Sequence, residues 1–315
     1  MNYRLILSSM ALAMMIISCK KDNKNPITSP DEPTTKILLK DIIIPHLPSP
    51  YYHFEYGSDS LVNKADFASG YYIYDVLYDN GRIGEMRNNI IVNHDTLRYV
   101  YDNTGRVMMV NFIDEDNLLK RHVAFTYNTG KVSQIIWDHK ANSGDFIVDR
   151  TLTFTYHADG NLKDMSDHRP AVSGAGENNF TTHYDNYDDK INVDDFTLIH
   201  DGIHDHLLVL PGLHLQKNNP GKEWVTGITE EYTVNYHYTY NADHTPLLKS
   251  GELTFTSGTK AGQKFDVSTS YSYYRWLIVG LFVFPNISFH FVNHLRDWGL
   301  LVSKFSPQII ISRVF

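Results

Sequence analysis

A short turn unit recurs along this chain, and it restricts the fold more than any other feature. Most copies begin with an aromatic residue two positions before Tyr, continue with Asp, Asn or His and small residues, and end with Gly and a basic residue. Residues 101–107, for example, read Tyr-Asp-Asn-Thr-Gly-Arg-Val. The aligned tyrosines are Tyr78, Tyr101, Tyr127, Tyr156 and Tyr240. Repetition at such short intervals predicts a series of similar supersecondary elements.

The residue types of this unit are those of a β-hairpin. Two aromatic residues separated by one position lie on the same face of a strand, because side chains alternate along it. Asp or Asn then starts a turn by hydrogen bonding to nearby backbone, and Gly supplies the positive φ that closes it. The predicted turn glycines are Gly81, Gly105, Gly130 and Gly160, and His244 takes this place in the last copy.

The segments between the turns alternate apolar and polar residues. Residues 151–156 read Thr-Leu-Thr-Phe-Thr-Tyr, which is typical of a strand with one buried and one solvated face. Residues 226–240 are predicted as one long strand, and the aromatic residues at 51–56 and 71–74 as the core face of a sheet. We therefore predict an all-β fold: an extended, curved antiparallel sheet of hairpins that is open or partly closed, like a barrel.

The hairpin unit resembles the YD repeats of Rhs-type proteins. More closely, the chain resembles a family of Bacteroidetes lipoproteins of unknown function with an extended, curved, porin-like β-sheet. Residues 184–192, 207–211 and 217–220 add a tyrosine segment, an apolar Leu/Pro segment and a Lys-Asn-Asn element in the order common in that family. The resemblance covers about residues 70–275 and carries over no catalytic residue.

The N-terminus predicts export and a lipid anchor. Arg4 precedes an apolar core of about 13 residues, Leu5 to Ile17, which is shorter than the roughly 20 that span a bilayer. Residues 16–19 read Ile-Ile-Ser-Cys and resemble a lipobox. Cys19 is the only cysteine of the chain, and acylation would remove a lone reactive thiol from an oxidising compartment. We predict cleavage before Cys19 and lipidation of its sulfur.

These features divide the chain into four predicted parts. Residues 1–18 are the signal peptide, 19–36 a solvated linker, and 37–275 the hairpin-repeat domain. Residues 276–315 lose the alternating pattern, because 276–284 are apolar throughout. Our hypothesis is that this tail is the product of a frameshift.

One cluster of potential metal ligands stands out at residues 200–206, His-Asp-Gly-Ile-His-Asp-His. His200, His204 and His206 form a weak candidate metal site, since imidazole is a common zinc ligand. Their spacing matches no established metalloenzyme motif, and an exposed polar turn is the favoured interpretation. We predict no cofactor and no catalytic residue.

The remaining predictions concern function and location. A net charge of −8 and the lack of a basic stripe disfavour nucleic-acid binding. We favour a non-catalytic envelope lipoprotein, held on the outer membrane at its periplasmic face or at the cell surface, that binds a glycan, a lipid or a protein. The alternatives are a hydrolase acting on envelope polymers or glycans and a porin-like outer-membrane barrel.

Overall fold

A computed structural model describes residues 35–90, 94–171, 176–200 and 207–277. Sixteen strands and one short 3-10 helix, Asp195–Ile199, make up its regular structure. The strands are β1 Thr35–Ile43, β2 Tyr52–Tyr56, β3 Val62–Phe67, β4 Tyr72–Asp79, β5 Arg82–Asn88, β6 Thr96–Tyr101, β7 Val107–Ile113, β8 Leu119–Asn128, β9 Lys131–Lys140, β10 Phe146–Tyr156, β11 Leu162–Arg169, β12 Asn178–Asp185, β13 Lys222–Thr226, β14 Tyr232–Tyr240, β15 Pro246–Phe255 and β16 Lys264–Leu277. The predicted signal peptide, Cys19 and the tail beyond residue 277 lie outside the described residues.

The sixteen strands form one closed antiparallel barrel. Every strand pairs with the next along the chain, and β1 pairs with β16 to close the sheet. At this junction the Ser272 hydroxyl donates to Asp41 Oδ2 at 2.6 Å. The predicted all-β fold with a curved antiparallel sheet is confirmed. The sequence did not decide whether the sheet closes fully, and in the structure it does. Within the described residues, no helix is both long and apolar enough to cross a membrane.

Alternation along the strands divides the sheet into an inner and an outer face. On β10, Leu152 and Phe154 are buried inside the barrel, whereas Thr153 is exposed outside. Polar outward positions recur on other strands, a pattern typical of a solvated face. Examples are Asp164, Ser166, His183, Asn235 and His237.

Four of the five aligned tyrosines tie their hairpin to the hairpin before it, whereas the Tyr240 hydroxyl donates to Asp188. The Tyr127 hydroxyl donates to the Val107 carbonyl at 2.8 Å, and the guanidinium of Arg106 lies 4.5 Å from the Tyr127 ring centroid. Arg106 and Val107, the two residues at the start of one return strand, therefore both contact the tyrosine of the next hairpin. Equivalent hydroxyl-to-carbonyl bonds join Tyr78 to Val62, Tyr101 to Ile83 and Tyr156 to Val132.

A β-bulge accompanies each of these tyrosines. The pairing register shifts by one residue between Val100 and Tyr101 and again between Thr126 and Tyr127. Such bulges bend the strand and increase its twist, which helps a sheet to close. At the following turns Gly81, Gly105, Gly130 and Gly160 all have positive φ, and so does His244 at 67°.

The described parts of the connection between β12 and β13, residues 186–200 and 207–221, form a plug segment inside the barrel. Its main chain contacts inward side chains of distant strands: the Tyr99 hydroxyl of β6 donates to the Val209 carbonyl at 2.7 Å, and Arg150 of β10 donates to the Ile199 carbonyl at 3.2 Å. The plug segment also contributes a set of buried apolar side chains to the core, which are Ile199, Leu207, Leu208, Leu213 and Leu215.

Hydrogen bonds within the plug segment hold it in shape. Asp195 Oδ2 accepts a hydrogen bond from the Leu215 amide at 2.8 Å. This bond joins the two arms of the segment, residues 186–200 and residues 207–221. Where the segment leaves and re-enters the wall, the Gly221 amide donates to the Asn186 carbonyl at 3.0 Å. A Cβ at Gly221 would lie 2.7 Å from that oxygen, so only glycine permits this approach.

The structure differs from the strand predictions in more than one stretch. Residues 226–240 are not one strand, because Gly227, at φ 90°, starts the turn that separates β13 from β14. Strands β11 and β12 were not predicted from the sequence, since a bulge breaks the alternation of β11.

Candidate functional site

Two charged side chains on β13 and β15 point into the barrel. Glu223 is paired with Val234 on one side and with Tyr184 on the other, both of which are buried inside. Lys249 is paired with Tyr238 of β14 and Thr269 of β16. Charges at inward positions are uncommon in a barrel core unless they are paired or serve a function.

Tyrosine hydroxyls surround the two carboxylates of this region. The Tyr236 hydroxyl donates to Glu223 Oε2 at 3.1 Å, with Tyr232 at 3.5 Å from the other oxygen. The Tyr271 hydroxyl donates to Oδ2 of Asp194, in the plug segment, at 2.5 Å. Both carboxylates therefore accept hydrogen bonds from tyrosine hydroxyls inside the barrel.

Lys249 lies between these groups. Its ammonium is 3.9 Å from Asp194 Oδ2 and 4.4 Å from the Tyr236 ring centroid. Its side chain is only 19% exposed. The contact with Tyr236 is a cation–π interaction of partly desolvated groups.

Burial dominates the ionisation of this cluster. It raises the pKa of Glu223, although the Lys249 ammonium and the two tyrosine hydroxyls oppose this in part. Burial also raises the pKa of Tyr236 and Tyr271 well above the usual value, so both remain hydroxyl donors. Burial therefore shifts the Glu223 carboxyl towards its neutral form relative to an exposed glutamate.

A cavity of about 380 Å³ opens beside Lys249, where the chain leaves β1. We call it the seam cavity. Its walls are Ile44 to His46 from the connection after β1, Tyr236 of β14, Lys249 of β15 and residues 266–269 of β16. Its volume falls within the range of small-ligand pockets.

Local backbone features shape two walls of the seam cavity. Gly251 faces Tyr236 across the ladder, and a Cβ there would lie 3.1 Å from Tyr236 Cδ1, so glycine leaves room for the ring. His46, at the mouth, has a φ of 68°, a left-handed conformation that a histidine adopts at some energetic cost. Strain of this kind often accompanies binding sites.

The predicted histidine site is only partly within the described residues. His204 and His206 lie outside them, and the metal prediction stays a prediction. His200 is not in an exposed turn: its Nδ1 lies 2.9 Å from the Tyr52 hydroxyl, and its ring packs 4.5 Å from that of Phe67. No group of three metal-binding side chains occurs in the described ranges.

The sequence predicted the aromatic residues of the core but not the charged residues beside the cavity. Tyr52 and Phe54 are buried inside the barrel, in agreement with a structural role. Sequence reasoning missed Glu223 and Lys249. The alternation of side chains along the strand could have indicated the direction of Lys249, because it lies four positions before the inward Leu253 and therefore on the same face.

Comparison with known proteins gives a fold relationship. No protein-family model and no curated protein match the chain. The solved structure of a porin-like protein from Bacteroides uniformis ATCC 8492 covers 77% of this chain and 96% of its own, at 15% identity and a TM-score of 0.51. The two chains share a fold.

Two other solved structures are more distant. A porin-like protein from Bacteroides vulgatus ATCC 8482 matches 75% of this chain and 98% of its own at 14% identity, with a TM-score of 0.49. The TcdB2-TccC3 structure matches 68% of this chain and 12% of its own at 17% identity, with a TM-score of 0.30.

Proposed function

We propose that this protein is a lipid-anchored binding protein of the cell envelope that holds a glycan in the seam cavity. The observation that carries the proposal is the cavity of about 380 Å³, which is lined by the Lys249 side chain, the Tyr236 ring and the hydroxyls of Ser268 and Thr269. Glycans present hydroxyl groups and apolar ring faces, which such polar groups and aromatic side chains recognise.

The interior and the outer face both support binding rather than passage through a pore. The plug segment contributes buried leucines to the core, so the lumen is occupied. The outer face carries Thr, Ser, Asn, His and Asp at outward positions, whereas a membrane-embedded barrel presents an apolar band to lipid.

The location rests on the N-terminal sequence. The Ile-Ile-Ser-Cys segment before residue 20 and the polar linker after it would leave the barrel tethered by acyl chains on Cys19. We place the protein on the outer membrane, at the periplasmic face or the cell surface.

A glycan array tests the proposal with the purified full chain in detergent. We expect retention of a defined subset of envelope polysaccharides. Thr269→Trp places an indole into the cavity and should abolish retention, whereas Ser270→Trp, on the neighbouring outward position, should leave it unchanged. Equal retention by wild type and Thr269→Trp would show that the seam cavity is not the binding site.

A porin-like role is the second candidate, favoured by the fold shared with the Bacteroides uniformis protein. It predicts ion conductance after reconstitution of the full chain into planar lipid bilayers. Deleting the apolar residues 207–213 of the plug segment should then increase that conductance. Bilayers that stay silent with both forms would argue against this candidate.

A further inference from the structure

We infer that the glycan held in the seam cavity carries an acidic sugar, and that Lys249 binds its carboxylate. This inference rests on the proposed function, and it adds the chemical class of the ligand.

Lys249 has donors that the protein itself does not use. Among the described residues, no acceptor lies within hydrogen-bonding distance of its ammonium, and its nearest carboxylate oxygen, on Asp194, is 3.9 Å away. An ammonium has three N–H donors, and on the cavity wall they are open to an acceptor from outside the protein. Since Lys249 lines the seam cavity, a ligand oxygen can be that acceptor.

The two neighbouring carboxylates leave this position open to an anion. Asp194 accepts the Tyr271 hydroxyl and Glu223 accepts that of Tyr236, and neither carboxylate is among the residues that line the cavity. Burial also shifts Glu223 towards the neutral acid. At the cavity wall a ligand carboxylate would therefore meet the Lys249 ammonium, and Asp266 is the one carboxylate among the described lining residues.

The other walls suit a sugar ring. Tyr236 offers an aromatic ring, and Ser268 and Thr269 offer hydroxyls that donate or accept hydrogen bonds. His46 and Asp266 lie at the mouth, and both are exposed. A carboxylate on a hydroxylated ring satisfies the ammonium and these hydroxyls together, which acetate or a neutral sugar alone does not.

Isothermal titration calorimetry of the full chain in detergent tests the inference with three small probes. Glucuronate has the ring and the carboxylate, glucose has the ring alone, and acetate has the carboxylate alone. We expect glucuronate to bind at least tenfold more tightly than either of the others, since hydrogen bonds to charged groups contribute strongly.

Three variants assign the effect to Lys249. Lys249→Met should weaken glucuronate binding about ten- to a hundredfold, whereas Lys249→Arg, which keeps the charge, should retain most of it. Lys264→Met is the matched control, because Lys264 is an exposed lysine of the adjacent strand that pairs with Glu252. Circular dichroism establishes that each variant is folded.

The outcomes separate this inference from the proposed function. Equal binding of glucuronate and glucose, or undiminished glucuronate binding by Lys249→Met, would overturn the acidic ligand. If Thr269→Trp still abolished glycan retention, the proposed function would stand without it. Failure of glucuronate to bind at all, together with array retention that Thr269→Trp does not change, would overturn both.

Discussion

The Tyr127 hydroxyl donates to the main-chain carbonyl of Val107, which belongs to the preceding hairpin, at 2.8 Å. The bond spans 20 positions of sequence and joins β8 to the start of β7. Three further aligned tyrosines make the equivalent bond. The repeat therefore encodes both the hairpin and its attachment to its neighbour.

Removing one such hydroxyl should destabilise the barrel without changing its topology. Tyr127→Phe keeps the ring under Arg106 but leaves the Val107 carbonyl without its donor, so we expect a loss of about 1 kcal/mol in the free energy of unfolding. Urea denaturation followed by circular dichroism measures it. Tyr71→Phe, at a tyrosine that is 66% exposed, should change stability little. Equal effects of the two substitutions would contradict the assigned role.

The plug segment should loosen when its internal acceptor is lost. Asp195→Ala removes the carboxylate that accepts the buried Leu215 amide, and an unsatisfied buried donor is unfavourable by about 1–3 kcal/mol. We expect faster amide hydrogen exchange over residues 207–216 with little change in the strands. Asp189→Ala, at a side chain that is 85% exposed, is the control. Unchanged exchange in Asp195→Ala would mean that other contacts hold the arms together.

The junction between β1 and its neighbours should weaken in acid. Burial acts to raise the pKa of Asp41, but hydrogen bonds from Ser272 and His53 outweigh it, and the net pKa is lowered. A carboxyl whose pKa is lowered on folding stabilises the native state above its unfolded pKa of about 3.9, and that contribution disappears as the pH falls through the folded value.

A pH series of unfolding free energies tests this linkage. Wild type and Asp41→Asn should differ at pH 6 and converge towards pH 2. Asp116→Asn, in an exposed turn, should run parallel to wild type throughout. A constant difference between wild type and Asp41→Asn from pH 6 to pH 2 would contradict the assignment.

Glu223 should show the opposite dependence. Burial raises its pKa, so the stability associated with the protonated form is lost as the pH rises from its unfolded pKa through the folded one. Glu223→Gln mimics the neutral acid, and we expect it to gain stability relative to wild type between pH 5 and pH 8. Thermal unfolding at several pH values measures the difference, and a gain that is independent of pH would rule out ionisation as its cause.

The hairpins could be predicted because their signals are local. A turn such as residues 102–106 contains its own polar starter and its own glycine, and neither depends on distant contacts. The start of the return strand at Val107 was predicted correctly for the same reason. Strand β11 was missed because its inward residues Leu162, Met165 and Asp167 follow the spacing of a bulge instead of strict alternation.

The candidate site could not be predicted because it depends on closure of the sheet. Lys249 meets Asp194 only when the plug segment lies inside the barrel, and it faces Thr269 only through the pairing of β15 with β16. The seam cavity also needs β1 to leave the wall at Ile44. No local pattern specifies these long-range relationships.

A crystal structure of the full chain grown with glucuronate would show where the ligand binds. We expect the sugar in the seam cavity, with a carboxylate oxygen about 2.7–2.9 Å from Lys249 Nζ. A cavity without the sugar at saturating glucuronate, or a sugar bound only on the outer face of the barrel, would contradict this expectation.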